Sequence, residues 1–274
     1  MISINTNYGG LYAAKAAQSS QGLVDQAMER LSTGKRINYA KDDAAGQAIA
    51  VRLTAEIQGL AVASRNASDA QSLLDTAEGA LQETTALLLR MRELAVQSSN
   101  GTLAAADRAA LEKEAQALET EITRIADTTT WAGTNLLDSS LSDGVTFQVG
   151  TKSSETLTVN IAEMSSSAAT INIATNSIGT FTDAQAAITA IDGAVSGVSE
   201  VRGSLGAVSN RLDSTVANID QIKVNLMSSK GRIEDTDFAQ ETGNLAKGQI
   251  LQQAATAMLA QANASKQNVL ALVR

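Results

Sequence analysis

From Ile49 to Ala95, steps alternating between four and three residues land on an apolar side chain nearly every time: Ile49, Leu53, Leu60, Ala63, Ala67, Ala70, Leu74, Ala77, Leu81, Leu88, Met91 and Ala95. Only Glu56 and Thr84 interrupt the series. An apolar period of 3.5 residues held this long predicts one helix built to wind against a partner, a rod of roughly 70 Å at about 1.5 Å per residue. Five of these twelve residues are alanine, which carries little apolar area but lets helix axes approach closely. The seam therefore reads as that of a packed bundle.

Composition agrees with long uninterrupted helices and removes most catalytic chemistry. Average usage of about 5% would place roughly fourteen prolines in a chain of this length, and there are none. Cysteine is absent too, which excludes disulfides, thiolate nucleophiles and Cys-ligated zinc but fits either redox compartment. The lack of histidine removes the most common metal ligand and general base. Asp42 and Asp43 are adjacent acids of the kind that start helices, and nothing beside them in sequence supplies a nucleophile or a metal cluster. The expectation is a protein that is not an enzyme and holds no cofactor. A net charge of -8 argues against broad electrostatic binding of nucleic acid. No apolar run reaches the ~18 residues of a membrane span, and Met1–Asn7 lacks the basic and apolar regions of a cleaved secretory signal.

The rest of the chain is arranged around the long stripe. Tyr8–Leu31 is a helical candidate with a weak seam of Ala14, Ala17, Val24, Met28 and Leu31, broken at Gln21. Thr33-Gly34-Lys35-Arg36 reads as its end, with glycine suited to a left-handed C-cap and a basic pair at the negative end of the dipole. Ser32-Thr33-Gly34-Lys35 is not a phosphate-binding loop, since Glu29 stands where the first glycine belongs and Arg36 replaces Ser or Thr. After a turn at Ser98–Thr102, Asp107 opens a shorter helix with Leu111, Ala115, Leu118, Ile122 and Ile125 on one face. Period-two alternation then predicts a β-hairpin from Val145, Phe147, Val149 and Leu157, Val159, Ile161. Ser165–Thr180 suits a strand or a loop.

A second long seam runs through Ala184, Ala187, Ile191, Ala194, Val198, Val201, Leu205, Val208, Leu212, Ile219, Ile222 and Leu226, interrupted only by Thr215. Two seams of matching length at opposite ends of the chain predict an intrachain antiparallel bundle: a mainly α fold with a small β region in its middle. Ser228–Gly248 reads as a polar connector, followed by a last helix carrying Leu251, Ala255, Met258, Ala262, Val269 and Leu272, with Ser265 as the break. The expected division is therefore a helical rod over 44–228, with its hairpin near 143–162, and a terminal-helix region made of 1–43 and 229–274. Ordering each backbone residue costs about 1–2 kcal/mol, and six seam side chains over Leu245–Arg274 return too little to cover it. The termini are expected to order only against neighbours, as in coupled folding and binding.

Several long stretches are also recognisable. Glu29–Asn38, Ala40–Ala50 and Arg90–Ser98 closely resemble the amino-terminal signature of bacterial flagellins. Leu205–Leu212, Arg232–Phe238, Gln249–Ala254 and Gln267–Leu272 resemble the carboxy-terminal one. The resemblance covers roughly 1–137 and 182–274. It implies a self-assembling subunit of the extracellular flagellar filament, passed unfolded through the flagellum's type III export channel without a cleaved signal and added beneath a cap. It further implies junction proteins and an export chaperone as partners, and a minimal form with little or no variable outer domain. By the same resemblance, Arg90, Glu93, Leu94, Gln97 and Glu114 contribute to recognition by Toll-like receptor 5; the same residues equally suit contacts between neighbouring subunits. Leu89 departs from a common Gln there, and Lys266 stands where many relatives have Pro. A hook–filament junction protein shares the terminal architecture, and the heptads alone suit a secreted coiled-coil adaptor. The match from Arg232 to Phe238 favours the filament subunit. Asn66, Asn100 and Asn263 head N-glycosylation patterns, a match expected by chance at this composition.

Overall fold

The computed structural model describes residues 6–174 and 176–272, with side chains through residue 265. Its elements in order are α1 (Tyr8–Thr33), α2 (Ala44–Ser98), α3 (Ala105–Thr128), β1 (Thr130–Trp131), β2 (Thr134–Asn135), β3 (Val145–Gln148), β4 (Thr156–Val159), α4 (Phe181–Glu234) and α5 (Phe238–Leu272). Compactness divides the chain into residues 58–223 and a second unit made of residues 1–57 and 224–274, so both boundaries fall inside long helices.

Most helix starts are fixed by short polar side chains. Asn7 Oδ1 accepts from the Gly10 N–H at 3.0 Å, Asp43 Oδ1 from that of Gly46 at 2.9 Å, and Asp237 Oδ1 from that of Ala239 at 2.8 Å. Each satisfies an amide that has no partner within its helix. Thr180 Oγ1 does the same for Asp183 N at the start of α4. Gly34 ends α1 at φ 71°, a left-handed conformation that costs glycine nothing, and its N–H returns to Arg30 O at 2.9 Å.

Within residues 58–223 the seam closes as a core. Leu60, Leu74, Leu81 and Leu88 of α2 are buried, as are Val198, Leu205, Leu212 and Ile219 of α4. The cross-helix pairs Arg92–Asp192 and Glu78–Arg202 establish that α2 and α4 run antiparallel. Thr84 lies fully inside the core and satisfies its hydroxyl on Ala80 O at 3.0 Å. Glu56, the other interruption, is exposed. The outer ends of the two stripes depart from the expectation. Ile49 is 39% and Ile222 38% exposed, while Leu53 and Leu226 are half-buried. At those positions no third layer closes over the helix, whereas α3, the hairpin and an irregular segment close over the middle of α2 and α4.

The expected central hairpin forms, pairing Val145 with Val159 and Phe147 with Leu157, while Val149 and Ile161 lie just outside its strands. A second, two-residue hairpin at Thr130–Asn135 goes beyond the sequence reading, being too short for periodicity to show. Ser165–Thr180 holds no strand among its described residues. It is a string of turns that buries Ile171, Ile173 and Ile178 and is tied down by backbone bonds such as Ile173 N to Ser166 O at 2.9 Å. A Cβ at Gly197 would lie 2.6 Å from Thr170 O, so α4 approaches this segment as closely as only glycine allows.

The connector expected over Ser228–Gly248 is corrected. Helix α4 continues to Glu234, the break is only Asp235–Asp237, and α5 begins at Phe238. Polarity there marks solvent-facing helix and does not end it. No proline stops α4, Lys230 pairs with Glu234 one turn on, and Asp237 caps the next helix.

Replacing Leu81 or Leu88 by Ala is expected to destabilise the 58–223 unit by about 2–5 kcal/mol, the usual cost of an alanine cavity at a buried leucine. Chemical denaturation followed by circular dichroism checks it, and Ile49→Ala should cost well under half as much.

Candidate assembly interface

The unit formed by the two chain ends is built on small residues. Helices α1 and α5 lie antiparallel, linked by Asn7–Asn263, Gln21–Gln252 and Arg30–Glu241. The face α1 buries consists of Gly10, Ala13, Ser20 and Ala27, and α5 contributes Ala255. A Cβ at Gly248 would meet Val24 Cγ2 at 2.8 Å, so here too the helices meet at glycine distance. Gln21, which breaks the weak α1 seam, is used: its Oε1 accepts from Gln252 Nε2 at 2.6 Å and its own amide donates to Asp25.

Apart from Val24, which meets Gly248, and buried Ile37, most large apolar side chains of this unit lie outside that contact. Met28, Leu251 and Met258 are exposed, the last at 66%, while Val24 and Leu31 are half-buried. Tyr8, Leu11, Tyr12, Leu23, Phe238 and Ile250 add to the same exposed set, with Tyr12 80% accessible. The seam expected on α1 is therefore corrected: Ala14 is exposed and Ala17 half-buried, while Gly10, Ala13, Ser20 and Ala27 make the intrachain contact; of the α5 seam Ala255 is buried, and most of the large residues are left uncovered. Val269 and Leu272 lie beyond the described side chains.

Two connectors are clasped within this unit. Lys35 and Asp235 form an antiparallel bridge, in which Arg36 N donates to Glu234 O at 2.6 Å and Thr236 N to Gly34 O at 3.0 Å. Lys35 also pairs with Glu234. Burial pushes the Glu234 carboxyl upward, but bonds and charge from Lys35 and Lys230 outweigh it and hold the group below the ordinary carboxylate range. Glu241 behaves alike. Burial raises it, while Arg30 and the Asn244 amide bring it down on balance.

In residues 58–223 the residues expected at a receptor or intersubunit surface divide as well. Arg90 bridges α2 and α3, with Nη2 on Glu114 Oε1 at 2.8 Å and Nη1 on Glu93 Oε2 at 2.8 Å. Hydrogen bonds to these two carboxylates hold its guanidinium above its usual range. Arg90, Glu93, Glu114 and Gln97 are exposed. Leu94 is corrected: at 1% exposure it faces the core, repeating at seven-residue spacing with buried Leu73 and half-buried Ala80 and Leu87 on the flank of α2 that packs the core. Leu89, exposed beside Arg90, was not among the expected contacts and shares their surface. Asn66 is unsuited to carry a glycan, because its side-chain amide donates to Gln148 O at 2.9 Å and holds the hairpin on α2.

With this geometry in place, the bacterial flagellin N-terminal helical region matches residues 4–142, just over half the chain. The chain belongs to the bacterial flagellin family. The bacterial flagellin C-terminal helical region matches residues 188–273. A flagellin of Halalkalibacterium halodurans is 46% identical over 271 residues, 99% of each chain. Flagellin A of Vibrio cholerae is 32% identical with both chains fully covered, but over 378 alignment positions. That alignment therefore places residues in the Vibrio flagellin with no counterpart here, and only residues 160–180 separate β4 from α4 in this one. The crystal structure of Bacillus cereus flagellin is 32% identical and covers 57% of this chain and 88% of its own, with a TM-score of 0.51. A putative flagellar hook-associated protein from Vibrio parahaemolyticus, at 17% identity, TM-score 0.61 and coverage of 71% of this chain and 100% of its own, shares the fold.

Because the Glu241 carboxyl is lowered in the folded chain, its contribution is complete above the ordinary carboxylate range and is lost as pH falls through its folded value. The protection factors of amides in α1 and α5, taken against the intrinsic exchange rate at each pH, should fall on acidification below about pH 4.5. Glu241→Gln should reproduce the loss at neutral pH, by about 1.5–3 kcal/mol, the usual worth of a hydrogen bond to a charged group.

Proposed function

We propose that this chain is the structural subunit that polymerises into the bacterial flagellar filament for motility, and that α1 and α5 assemble through the apolar side chains they leave uncovered. The observation that carries the second part is the division of those helices, small residues facing inward and Leu11, Met28, Leu251 and Met258 facing outward. An apolar surface of that kind on a self-assembling protein is an interface awaiting its partner. A second copy of the chain fits it, because every copy brings the same exposed residues. The hook-associated likeness supports only a shared fold, whereas the relative matched over nearly its whole length at 46% identity is a flagellin.

The terminal helices bury little apart from glycine, alanine and serine, so in the unassembled subunit they order weakly and gain full order from neighbours. On this reading residues 1–43 and 229–274 form an inner assembly layer, and 44–228 a rod. The cap, junction proteins, export apparatus and export chaperone are the further partners. No described helix is long and apolar enough to cross a membrane. The exposed set of Arg90, Glu93, Gln97 and Glu114, with Leu89, is the surface on which Toll-like receptor 5 or a neighbouring subunit would act; activation of the receptor by purified monomer separates the two.

Electron microscopy of the purified chain under polymerising conditions should show helically ordered filaments, and their absence would refute the reading. Met258→Asp should abolish filaments while leaving the thermal transition of residues 58–223 within about 0.5 kcal/mol of the parent, as surface changes usually do. In the monomer, amides of α1 and α5 should exchange far faster than those of α2 near Leu81, and full protection at both ends would count against ordering on assembly.

A further inference from the structure

The two flanks of the α2–α4 seam are closed differently. On one flank, Leu73, Ala80, Leu87 and Leu94 repeat every seven residues along α2 and pack into the core, with α3 alongside. On the other, Gln71, Glu78 and Arg92 also sit at multiples of seven, and each reaches across to α4. Arg92 Nε meets Asp192 Oδ1 at 2.6 Å, Arg202 Nε meets Glu78 Oε1 at 2.8 Å, and the Gln71 amide donates to Asp213 Oδ1. The side chains of the two ion pairs are about one-third to one-half exposed, and a shallow hollow of about 220 Å³ beside Glu78, bordered by Asp75, Gly206 and Ser209, is open to solvent. Pairs this accessible contribute little to stability.

What they supply is discrimination. The apolar stripes of α2 and α4 repeat every seven residues and are rich in alanine and valine, so sliding one helix past the other by a heptad still sets apolar against apolar. The two ion pairs do not survive the slide. Moved seven residues one way, Arg92 faces Ser199 and Glu78 faces Ser209; moved the other way, they face Gln185 and Val195. Gln71 meets Asp220 in the first case and Gly206 in the second, so it discriminates against one direction alone. We propose that Glu78 and Arg92, with Arg202 and Asp192, form a register lock that fixes the axial alignment of α4 on α2 and excludes the heptad-shifted alternatives.

The natural chain has no cysteine, so two exposed positions can carry spin labels cleanly: Asp69→Cys on α2 and Glu200→Cys on α4. They are offset along the helix axis, and a heptad slip changes their separation by about 10 Å, seven residues at ~1.5 Å each. Pulsed electron paramagnetic resonance on the unpolymerised full chain should give one distance population. Reversing one member of each ion pair, Arg92→Asp with Glu78→Arg, sets like charges opposite each other, which a slip in either direction relieves, and a second population shifted by about 10 Å should appear. Adding Asp192→Arg and Arg202→Glu restores complementarity and should return the single parental population. One unshifted population in the reversed chain overturns the lock. So does a loss of helical circular dichroism in place of a shift, or a restored chain that stays shifted.

Discussion

Everything in residues 58–223 depends on how closely α2 and α4 can approach. Ala63, Ala67, Ala70 and Ala77 on one helix and Ala184, Ala187 and Ala194 on the other contribute little area each, so the contact gains its strength from proximity and length. A seam this thin does not enclose a core by itself. Leu81, Leu88 and Leu212 become fully buried because α3, the β3–β4 hairpin and the irregular segment around Ile171 and Ile173 close over them. Where that third layer is lacking, the same periodic pattern leaves Ile49 and Ile222 open to water.

The unit built from the chain ends obeys the same geometric rule with a different outcome. Its α1–α5 contact is also close, glycine against valine, but most of its large apolar residues lie outside that contact. Polar and ionic links such as Gln21–Gln252 and Arg30–Glu241 specify which faces meet. One unit therefore covers most of its large apolar residues itself, and the other leaves most of its own open to solvent. On the function proposed above, that is a division between a part that folds and a part that joins.

Much of this was legible in the sequence because its strongest signals are periodic. The α2 and α4 stripes, the turn at Ser98–Thr102 and the β3–β4 alternation all rest on spacing, and spacing survives folding. Polarity misled at Ser228–Gly248, since a helix turned to solvent is as polar as a loop and only Asp237 and its cap mark the true break. Leu94 differs for another reason: the exposed stretch around Arg90 contains one residue on the flank of α2 that packs the core. The β1–β2 turn and the packing of Ile171, Ile173 and Ile178 had no periodic signal to find, because irregular backbone is held by individual bonds such as Ser98 Oγ to Ile178 O. On α1 the expected seam of Ala14, Ala17, Val24, Met28 and Leu31 missed the buried face, which is Gly10, Ala13, Ser20 and Ala27, because residues this small carry no hydrophobic signal of their own.

The antiparallel pairing of α2 with α4 has a consequence for the order in which the chain becomes available to itself. Arg92 waits for Asp192, and Gln71 for Asp213, so the first long helix emerges from the ribosome a hundred or more residues ahead of its partner. Helix α3 can cover one flank of α2 early, but the main stripe stays bare until the last third of the chain exists. Closing the seam joins residues a hundred or more positions apart, and the entropy of that loop must be met before the contacts form. The two halves of the chain therefore cannot close on each other until synthesis is nearly done.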